Sequence, residues 1–459
     1  MTDNMNCGDI GGGRRRRLVS ATYEGVGARW KEQLRDVSLA VYDETPQMEE
    51  IARKVASHNS MENGSFFVMD ASQVEGAMDE WSRSLSHCSP FYPLACNDDP
   101  LLLELLTRKK ICNLQVSTVA ELERALSLVS PSRIIFHSHL LTRKMLRLIT
   151  SLPDPLHSLI IDNEDSAMDA SSLNPYQPLL LRVSLSPDSD SIDLAMGMPI
   201  EEAIECVPRL VRSGVAIVGI SVQLLGEDEV ERARSLIHLL STLSPYGLSI
   251  LDVGDGIDSQ SMQSTSFLLD CILETANVPH MKLMSTPGRF FAATAFTLIT
   301  CIVGKRSMDA GVITRREEDG GTQGFVYETN QSVYQCFSNR MMGEKVHCDP
   351  LPLIPSTGDG PAIESAILGS ALDSFDFPQR HARLPSLSIG DCLMWKEMGA
   401  YAVRRDDEFP IYYYTGRDHW NRLNGEEKDV MSDGGSEGDT DGESEMDDDM
   451  TDIFFRVFN

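Results

Sequence analysis

The sequence predicts an α/β fold: a (β/α)8 TIM-like barrel followed by an all-β C-terminal domain, with a disordered acidic tail. From about residue 64, short continuous apolar segments alternate with amphipathic segments of helical period. Continuous apolar strands between helices are typical of parallel strands that helices cover. The number of units fits a barrel better than an open, doubly wound sheet. After about Pro287 the alternation stops and glycine, proline and aromatic residues dominate, which predicts the all-β domain.

Each element is predicted from its apolar period and its flanking residues. Short apolar runs predict barrel strands at residues 66–69, 91–96, 111–116, 133–136, 159–161, 179–183, 216–222 and 248–253. Amphipathic runs predict helices at residues 71–85, 99–109, 119–128, 140–149, 200–212, 229–240 and 262–276. In the second region, strand-like runs lie at residues 325–327, 333–337, 392–395 and 400–403.

Composition divides the chain into five predicted regions. Residues 1–17 form a disordered basic arm, and residues 18–63 form an N-terminal segment expected to contribute to the β domain. The barrel spans residues 64–290, the β domain residues 291–420, and the acidic disordered tail residues 421–459. The four consecutive arginines at residues 14–17 are either a targeting or anion-binding patch or simply a solvated arm.

Charge and cysteine usage restrict the function classes. The net charge of −29 disfavours general binding to nucleic acid. No apolar run reaches the length of a membrane span, and the N-terminus, with Asp3 and Asp9, is not typical of a secretory signal. The ten cysteines include no C-x-x-C pair. We therefore expect neither a metal site nor a disulfide framework. We also expect the protein to reside in a reducing, cytoplasmic environment.

Residues 90–97, with the sequence PFYPLACN, predict a buried strand and a loop before an acidic helix start. This stretch resembles the strand that carries the cofactor lysine in the ornithine decarboxylase family, the fold type III or group IV pyridoxal-phosphate decarboxylases. The family pattern has a lysine where this chain has Ala95, and a methyl group cannot form a Schiff base. By the order of its motifs, the resemblance covers roughly residues 66–414 and implies the same barrel and β domain.

The resemblance implies that some positions survive as vestiges of a cofactor site. Those that match cofactor-binding residues of the family are Arg182, Gly254, Gly256, Gly288, Arg289 and Tyr401. The segment around Asp359, of sequence GDG, matches a substrate-binding aspartate that the partner subunit supplies in the family's head-to-tail dimer. The alternative for each retained residue is a structural role in a turn, an ion pair or the core.

The resemblance also implies that several catalytic groups are lost. The family's lysine, ring-stacking histidine, pyridine-nitrogen carboxylate, substrate aspartate and proton-handling thiol correspond here to Ala95, Gln223, Thr286, Gln331 and Gly358. Pyridoxal-phosphate chemistry needs these groups together. In addition, Asp255 replaces the middle glycine of the phosphate loop, where a carboxylate would repel phosphate by about 1 kcal/mol or more. We expect a pseudoenzyme that does not bind pyridoxal phosphate covalently.

Within the family, the chain resembles the catalytically inactive antizyme inhibitors, which bind antizyme and release active ornithine decarboxylase. The corresponding binding segment is about residues 136–163, in which we take Arg143, Lys144 and Arg147 as the partner-binding residues. The alternative is an ordinary surface helix whose apolar residues, including Leu148, face the core. The expected partners are antizyme or the active decarboxylase of putrescine synthesis, with a homodimer also possible. Two other functions remain open: residual or altered decarboxylase activity, and binding of pyridoxal phosphate or a polyamine without turnover.

Overall fold

The computed structural model describes residues 30–34, 37–59, 64–108, 110–139, 141–185, 197–226, 228–341, 350–353, 361–371, 373–403 and 409–424. The basic arm, Gly358, Asp359 and the acidic tail beyond residue 424 lie outside them. The described residues fall into two compact units. The barrel unit comprises residues 70–296, 396–403 and those from 416 onward, and the sheet unit comprises residues up to 69, 297–395 and those up to 415.

The strands are numbered in chain order. They are β1 (Trp30–Leu34), β2 (Val37–Tyr42), β3 (Phe66–Asp70), β4 (Cys88–Pro93), β5 (Asn113–Val116), β6 (Ile134–His137), β7 (Ser158–Ile161), β8 (Leu179–Arg182), β9 (Ile217–Ser221), β10 (Ile250–Asp252), β11 (Lys282–Ser285), β12 (Phe296–Asp309), β13 (Gln323–Thr329), β14 (Leu351–Pro352), β15 (Ile363–Leu368), β16 (Gln379–Leu384), β17 (Cys392–Trp395) and β18 (Ile411–Gly416).

The α-helices are numbered in the same way. They are α1 (Met48–Asn59), α2 (Ala71–Ser84), α3 (Pro100–Arg108), α4 (Val119–Leu126), α5 (Arg143–Thr150), α6 (Glu164–Leu173), α7 (Ile200–Arg212), α8 (Glu229–Leu243), α9 (Met262–Thr275), α10 (Gly288–Ala292), α11 (Ala310–Thr314), α12 (Ser338–Met341) and α13 (Arg417–Asn424). None of the described helices is both long enough and apolar enough to cross a bilayer.

The barrel unit is a closed barrel of eight parallel strands, β4 to β11 in chain order, with β11 paired to β4. Each strand is short and mostly buried, and helices intervene between successive strands. Its interior is filled by a cluster of Phe91, Ile135, Ile160, Leu180 and Met284. The lumen is therefore a packed core, and any site must lie at the ends of the strands, as is usual for this fold.

The sheet unit is a ten-stranded mixed sheet with the main order β1-β2-β18-β3-β12-β13-β15-β16. Its long strand β12 pairs antiparallel with both β13 and β17, while β13 and β15 run parallel. Apolar residues of β2, β3, β12, β17 and β18 pack with α1 to form its core. The predicted fold class, a (β/α)8 barrel with a separate β domain, is confirmed.

Several predicted elements are wrong. Residues 66–69 were assigned to the barrel, but β3 lies in the sheet of the sheet unit, and the eighth barrel strand is β11. Residues 333–337 form turns although Val333, Cys336 and Phe337 are buried, and residues 400–403 are not a strand. The apolar residues at 333–337 and 400–403 therefore reflect buried side chains and not strand backbone. The predicted tail also begins too early, because α13 continues to Asn424.

Candidate functional site

The turn that follows β4 contains Ala95, the position at which the family resemblance leads one to expect a lysine. Ala95 is exposed, whereas Tyr92, Cys96 and Asn97 on either side are buried. The Tyr92 hydroxyl donates to the Asn97 carbonyl (2.9 Å), and the Asn97 amide Nδ2 donates to the Gly399 carbonyl (2.8 Å). Burial raises the pKa of the Cys96 thiol to about 12, so it is neutral at physiological pH. The frame of the motif is fixed by buried contacts, and Ala95 brings no amine to it.

The glycine-rich turn after β10 has three consecutive backbone amides that are already bonded to side-chain oxygens. The Gly254 amide donates to Asp252 Oδ1 (3.1 Å), and the Asp255 amide donates to Gln223 Oε1 (3.3 Å). The Gly256 amide donates to Asp255 Oδ1 (2.8 Å). Backbone amides of such a turn are the groups that would bind a phosphate. In this chain the side chains of Gln223, Asp252 and Asp255 occupy them.

The side chain of Gln223 packs against the glycine-rich turn and forms hydrogen bonds with its backbone. The Gln223 amide Nε2 donates to the Asp255 carbonyl (2.7 Å) and to the Leu225 carbonyl (3.2 Å). Gly254 has φ +81°, and a Cβ at this position would lie 2.5 Å from Gln223 Oε1. The glycine is therefore needed both for its left-handed backbone and for space beside the glutamine. Gln223 thus packs against the glycine-rich turn.

Arg182 belongs to a polar network across the ends of β8, β9 and β10. Its Nη1 donates to Ser221 Oγ (3.3 Å), and Ser221 Oγ donates to Asp252 Oδ2 (2.7 Å). Burial raises the pKa of Asp252, while the bond from Ser221, the Gly254 amide and the charge of Arg182 act in the opposite direction. Arg182 therefore interacts, through Ser221 and through its charge, with a buried carboxyl group of the chain itself.

The segment after β11 keeps its glycine for packing. A Cβ on Gly288 would lie 3.0 Å from Pro93 Cγ and 3.1 Å from Cys96 Sγ. The exposed Arg289 guanidinium lies 5.5 Å from the centroid of the Tyr401 ring, a cation–π contact. Tyr401 has φ +57°, and its backbone amide donates to the Cys96 carbonyl (2.8 Å). Thr286 is anchored through its backbone amide to the Gly254 carbonyl (2.9 Å).

A second polar group lies at the ends of β5, β6 and β7. Gln115 Nε2 is 3.4 Å from His137 Nδ1, and the His137 and His139 rings are 5.1 Å apart. His139 Nδ1 lies 3.2 Å from Asp162 Oδ2. Burial, with the charges of Arg182 and His139, lowers the pKa of His137 to about 3. His137 is therefore neutral at physiological pH.

The barrel brings together most of the residues singled out from the sequence. Residues at or after the carboxyl ends of parallel barrel strands lie at one end of the barrel. This group contains Ala95, Arg182, Gln223, Gly254, Gly256, Thr286, Gly288 and Arg289. Tyr401 joins it through its bond to Cys96. Gln331 lies in the sheet unit, buried, and its Oε1 has no hydrogen-bond partner within the described chain. Gly358 and Asp359 are outside the described residues.

The predicted partner-binding residues lie on the surface of α5. Arg143 is 76% exposed and bonds to Asp169 on α6 (3.0 Å), and Lys144 and Arg147 are also exposed. Leu148 was predicted to pack inward, but it is 41% exposed. The residues of α5 that are buried are Leu146 and Ile149.

Comparisons with known proteins identify a family profile and solved structures that are similar to this chain. Residues 71–293 match the family profile "Pyridoxal-dependent decarboxylase, pyridoxal binding domain". Among solved structures, the arginine decarboxylase of Paramecium bursaria Chlorella virus superposes with a TM-score of 0.68 at 23% identity, covering 80% of this chain and 100% of that one. The barrel therefore has the fold found in pyridoxal-dependent decarboxylases.

Three relatives are similar to the chain over most of their own length. The ornithine decarboxylase of Caenorhabditis elegans is 24% identical over 81% of this chain and 91% of that protein. Antizyme inhibitor 2 of Xenopus laevis is 22% identical over 82% of this chain and 86% of that protein. Antizyme inhibitor 1 of Rattus norvegicus is 23% identical over 83% of this chain and 88% of that protein. Over about four fifths of its length, the chain is therefore similar both to ornithine decarboxylases and to antizyme inhibitors.

Proposed function

We propose that this chain is an ornithine decarboxylase-like pseudoenzyme that regulates polyamine, and hence putrescine, biosynthesis by binding antizyme or the active decarboxylase. The observation that carries the proposal is the internal saturation of the glycine-rich turn by Gln223, Asp252 and Asp255. A phosphate would have to displace these oxygens and approach the Asp255 carboxylate. Because Ala95 also removes the Schiff-base amine, the residues present do not fit pyridoxal phosphate.

The surface of α5 and α6 supports the regulatory part of the proposal. Three cationic side chains, Arg143, Lys144 and Arg147, are exposed there in a chain whose net charge is −29. Such a local basic patch can steer an acidic partner. The two helices also pack against each other and expose large apolar side chains, namely Leu148, Met168 and Leu173. Apolar side chains surrounded by charge are typical of interfaces with other proteins.

The direct test is a pull-down with antizyme, together with an assay for ornithine decarboxylase released from its antizyme complex. We expect binding and release by the wild-type chain. The variant R143E/K144E/R147E should bind at least tenfold more weakly. The matched control R83E/R108E/R234E makes the same change in net charge at exposed residues of α2, α3 and α8, and should bind normally. Absence of wild-type binding at micromolar concentrations would contradict the regulatory role.

Decarboxylase activity is the second candidate. Arg182, Arg289 and Tyr401 remain at the same end of the barrel, and a positive group there can bind an anion. The discriminating measurement is release of carbon dioxide from ornithine with added pyridoxal phosphate. Turnover that is abolished by R289A, with the fold intact, would favour the enzyme over the regulator.

A further inference from the structure

Three metal-ligand side chains that the proposed function does not use lie together at the barrel mouth. His137 is the last residue of β6, His139 follows two residues later, and Asp162 comes directly after β7. One ligand atom from each side chain lies within 4.8 Å of the other two. We propose that His137, His139 and Asp162 bind Zn²⁺, with a water molecule as the fourth ligand.

The donor set and spacing suit zinc. Two imidazole nitrogens and a carboxylate oxygen are typical ligands of zinc sites that keep one open position. Bond lengths of about 2.0–2.2 Å place the ligand atoms of a tetrahedral site roughly 3.3 Å apart. His139 Nδ1 and Asp162 Oδ2 are already 3.2 Å apart. The other two separations are at most 4.8 Å, and the side chain of His139 is 51% exposed, so it has room to adjust when a metal binds.

Two atoms of the cluster are buried without a hydrogen-bond partner. They are His137 Nε2 and Asp162 Oδ1, for which no partner exists within the described parts of the chain. Leaving a buried polar atom unsatisfied costs about 1–3 kcal/mol. Coordination through His137 Nε2 satisfies the first atom, and a zinc-bound water molecule can donate a hydrogen bond to Asp162 Oδ1 while Oδ2 binds the metal. The ordinary alternative, a simple hydrogen bond between His139 and Asp162, leaves both atoms unsatisfied.

The side chain of Gln115 lies beside the ring nitrogen of His137 that would not bind the metal. Its side-chain amide lies 3.4 Å from His137 Nδ1. The oxygen and nitrogen of an amide are interchangeable by a flip, and Oε1 in this position accepts the Nδ1 proton. The lone pair of Nε2 then remains for the metal, which is the usual support of a ligating histidine. Arg182 opposes the cation electrostatically, but its charge is partly offset by Asp252 in the same network.

The sequence expectation of no metal site rests on cysteine spacing, whereas the proposed ligands are histidine and aspartate side chains. The three side chains lie within residues 136–163, the segment expected to bind antizyme, but they are distinct from the exposed cations Arg143, Lys144 and Arg147. Zinc binding is measured without antizyme, so failure of one proposal is distinguishable from failure of the other. The test is calorimetric titration of the metal-free, full-length chain with Zn²⁺ alone. Visible absorption of the Co²⁺-substituted chain reports the coordination geometry.

We expect one equivalent of zinc with a micromolar or tighter Kd, and tetrahedral Co²⁺ bands. His139→Gln and Asp162→Asn should each weaken binding by at least about tenfold, and Gln115→Leu should weaken it less. His238→Gln is the matched control, because His238 is exposed on α8 away from the cluster. Since His139 is also exposed, its substitution should leave the thermal midpoint of the metal-free chain unchanged. Failure of the wild-type chain to bind zinc, or equal binding by His139→Gln, overturns the proposal.

Discussion

Introducing a lysine at position 95 should not by itself create a binding site for pyridoxal phosphate. In the variant A95K, a primary amine is present, but the Asp255 and Gly256 amides stay bonded to Gln223 and to the Asp255 carboxylate. A hydrogen bond to a charged group contributes about 1.5–3 kcal/mol, so two lost phosphate contacts cost about 3–6 kcal/mol. At about 1.4 kcal/mol per tenfold, affinity should fall short of a functional site by roughly 10² to 10⁴.

The assay is reduction with borohydride in the presence of pyridoxal phosphate, followed by mass spectrometry of the peptide that contains residue 95. A95K should show no stoichiometric adduct at micromolar cofactor. The triple variant A95K/Q223H/D255G frees both amides and should trap about one equivalent. The control A95R/Q223H/D255G adds a cation without a primary amine and should trap none at this peptide. Stoichiometric trapping by A95K alone would refute the view that the occupied turn excludes phosphate.

Two further predictions concern stability. Glu75 on α2 is buried and accepts hydrogen bonds from His419 (2.6 Å) and Arg422 (3.2 Å) on α13. The variant E75A should therefore lower the free energy of unfolding, measured in urea, by about 2 kcal/mol. The variant E75Q should lower it by less. Equal midpoints for E75A and wild type would show that α13 is not anchored this way. Burial lowers the pKa of His157, which packs on Phe91, so the unfolded chain binds more protons and stability should fall as pH drops below about 6.5. H157Q should reduce this slope between pH 6.5 and 5, and an unchanged slope would contradict the assignment.

The regular elements of the barrel were largely predictable, because their residues satisfy local period and burial together. Helix α7 (Ile200–Arg212) was predicted with its observed bounds, since its apolar residues follow the helical period and the turn before it contains proline. The strand at 91–96 was placed too late. Leu94 and Cys96 are buried, as in a strand, yet they belong to the turn after β4. An apolar run shows burial, but it does not show which backbone groups pair.

The site was predictable as a set of positions and not as a set of contacts. Motif order indicated that Gln223 and Asp255 replace functional residues, and repulsion of phosphate by the carboxylate followed from charge alone. That Gln223 bonds to a backbone amide 32 residues later depends on the pairing of β9 and β10, which no local pattern contains. For the same reason the proximity of His139 and Asp162, on neighbouring strand ends, was missed. A histidine pair at i and i+2 after a strand was the available signal.

The retained family residues have structural reasons to persist that require no chemistry. Gly288 leaves space for Cys96, Asn97 ties the turn after β4 to Gly399, and Gly254 makes room for Gln223. Each of these contacts would be costly to lose whether or not the chain performs chemistry. Ala95 is exposed and lies outside these buried contacts, so its substitution disturbs little of the fold. The buried contacts therefore stabilise the frame of the motif independently of the residue at position 95.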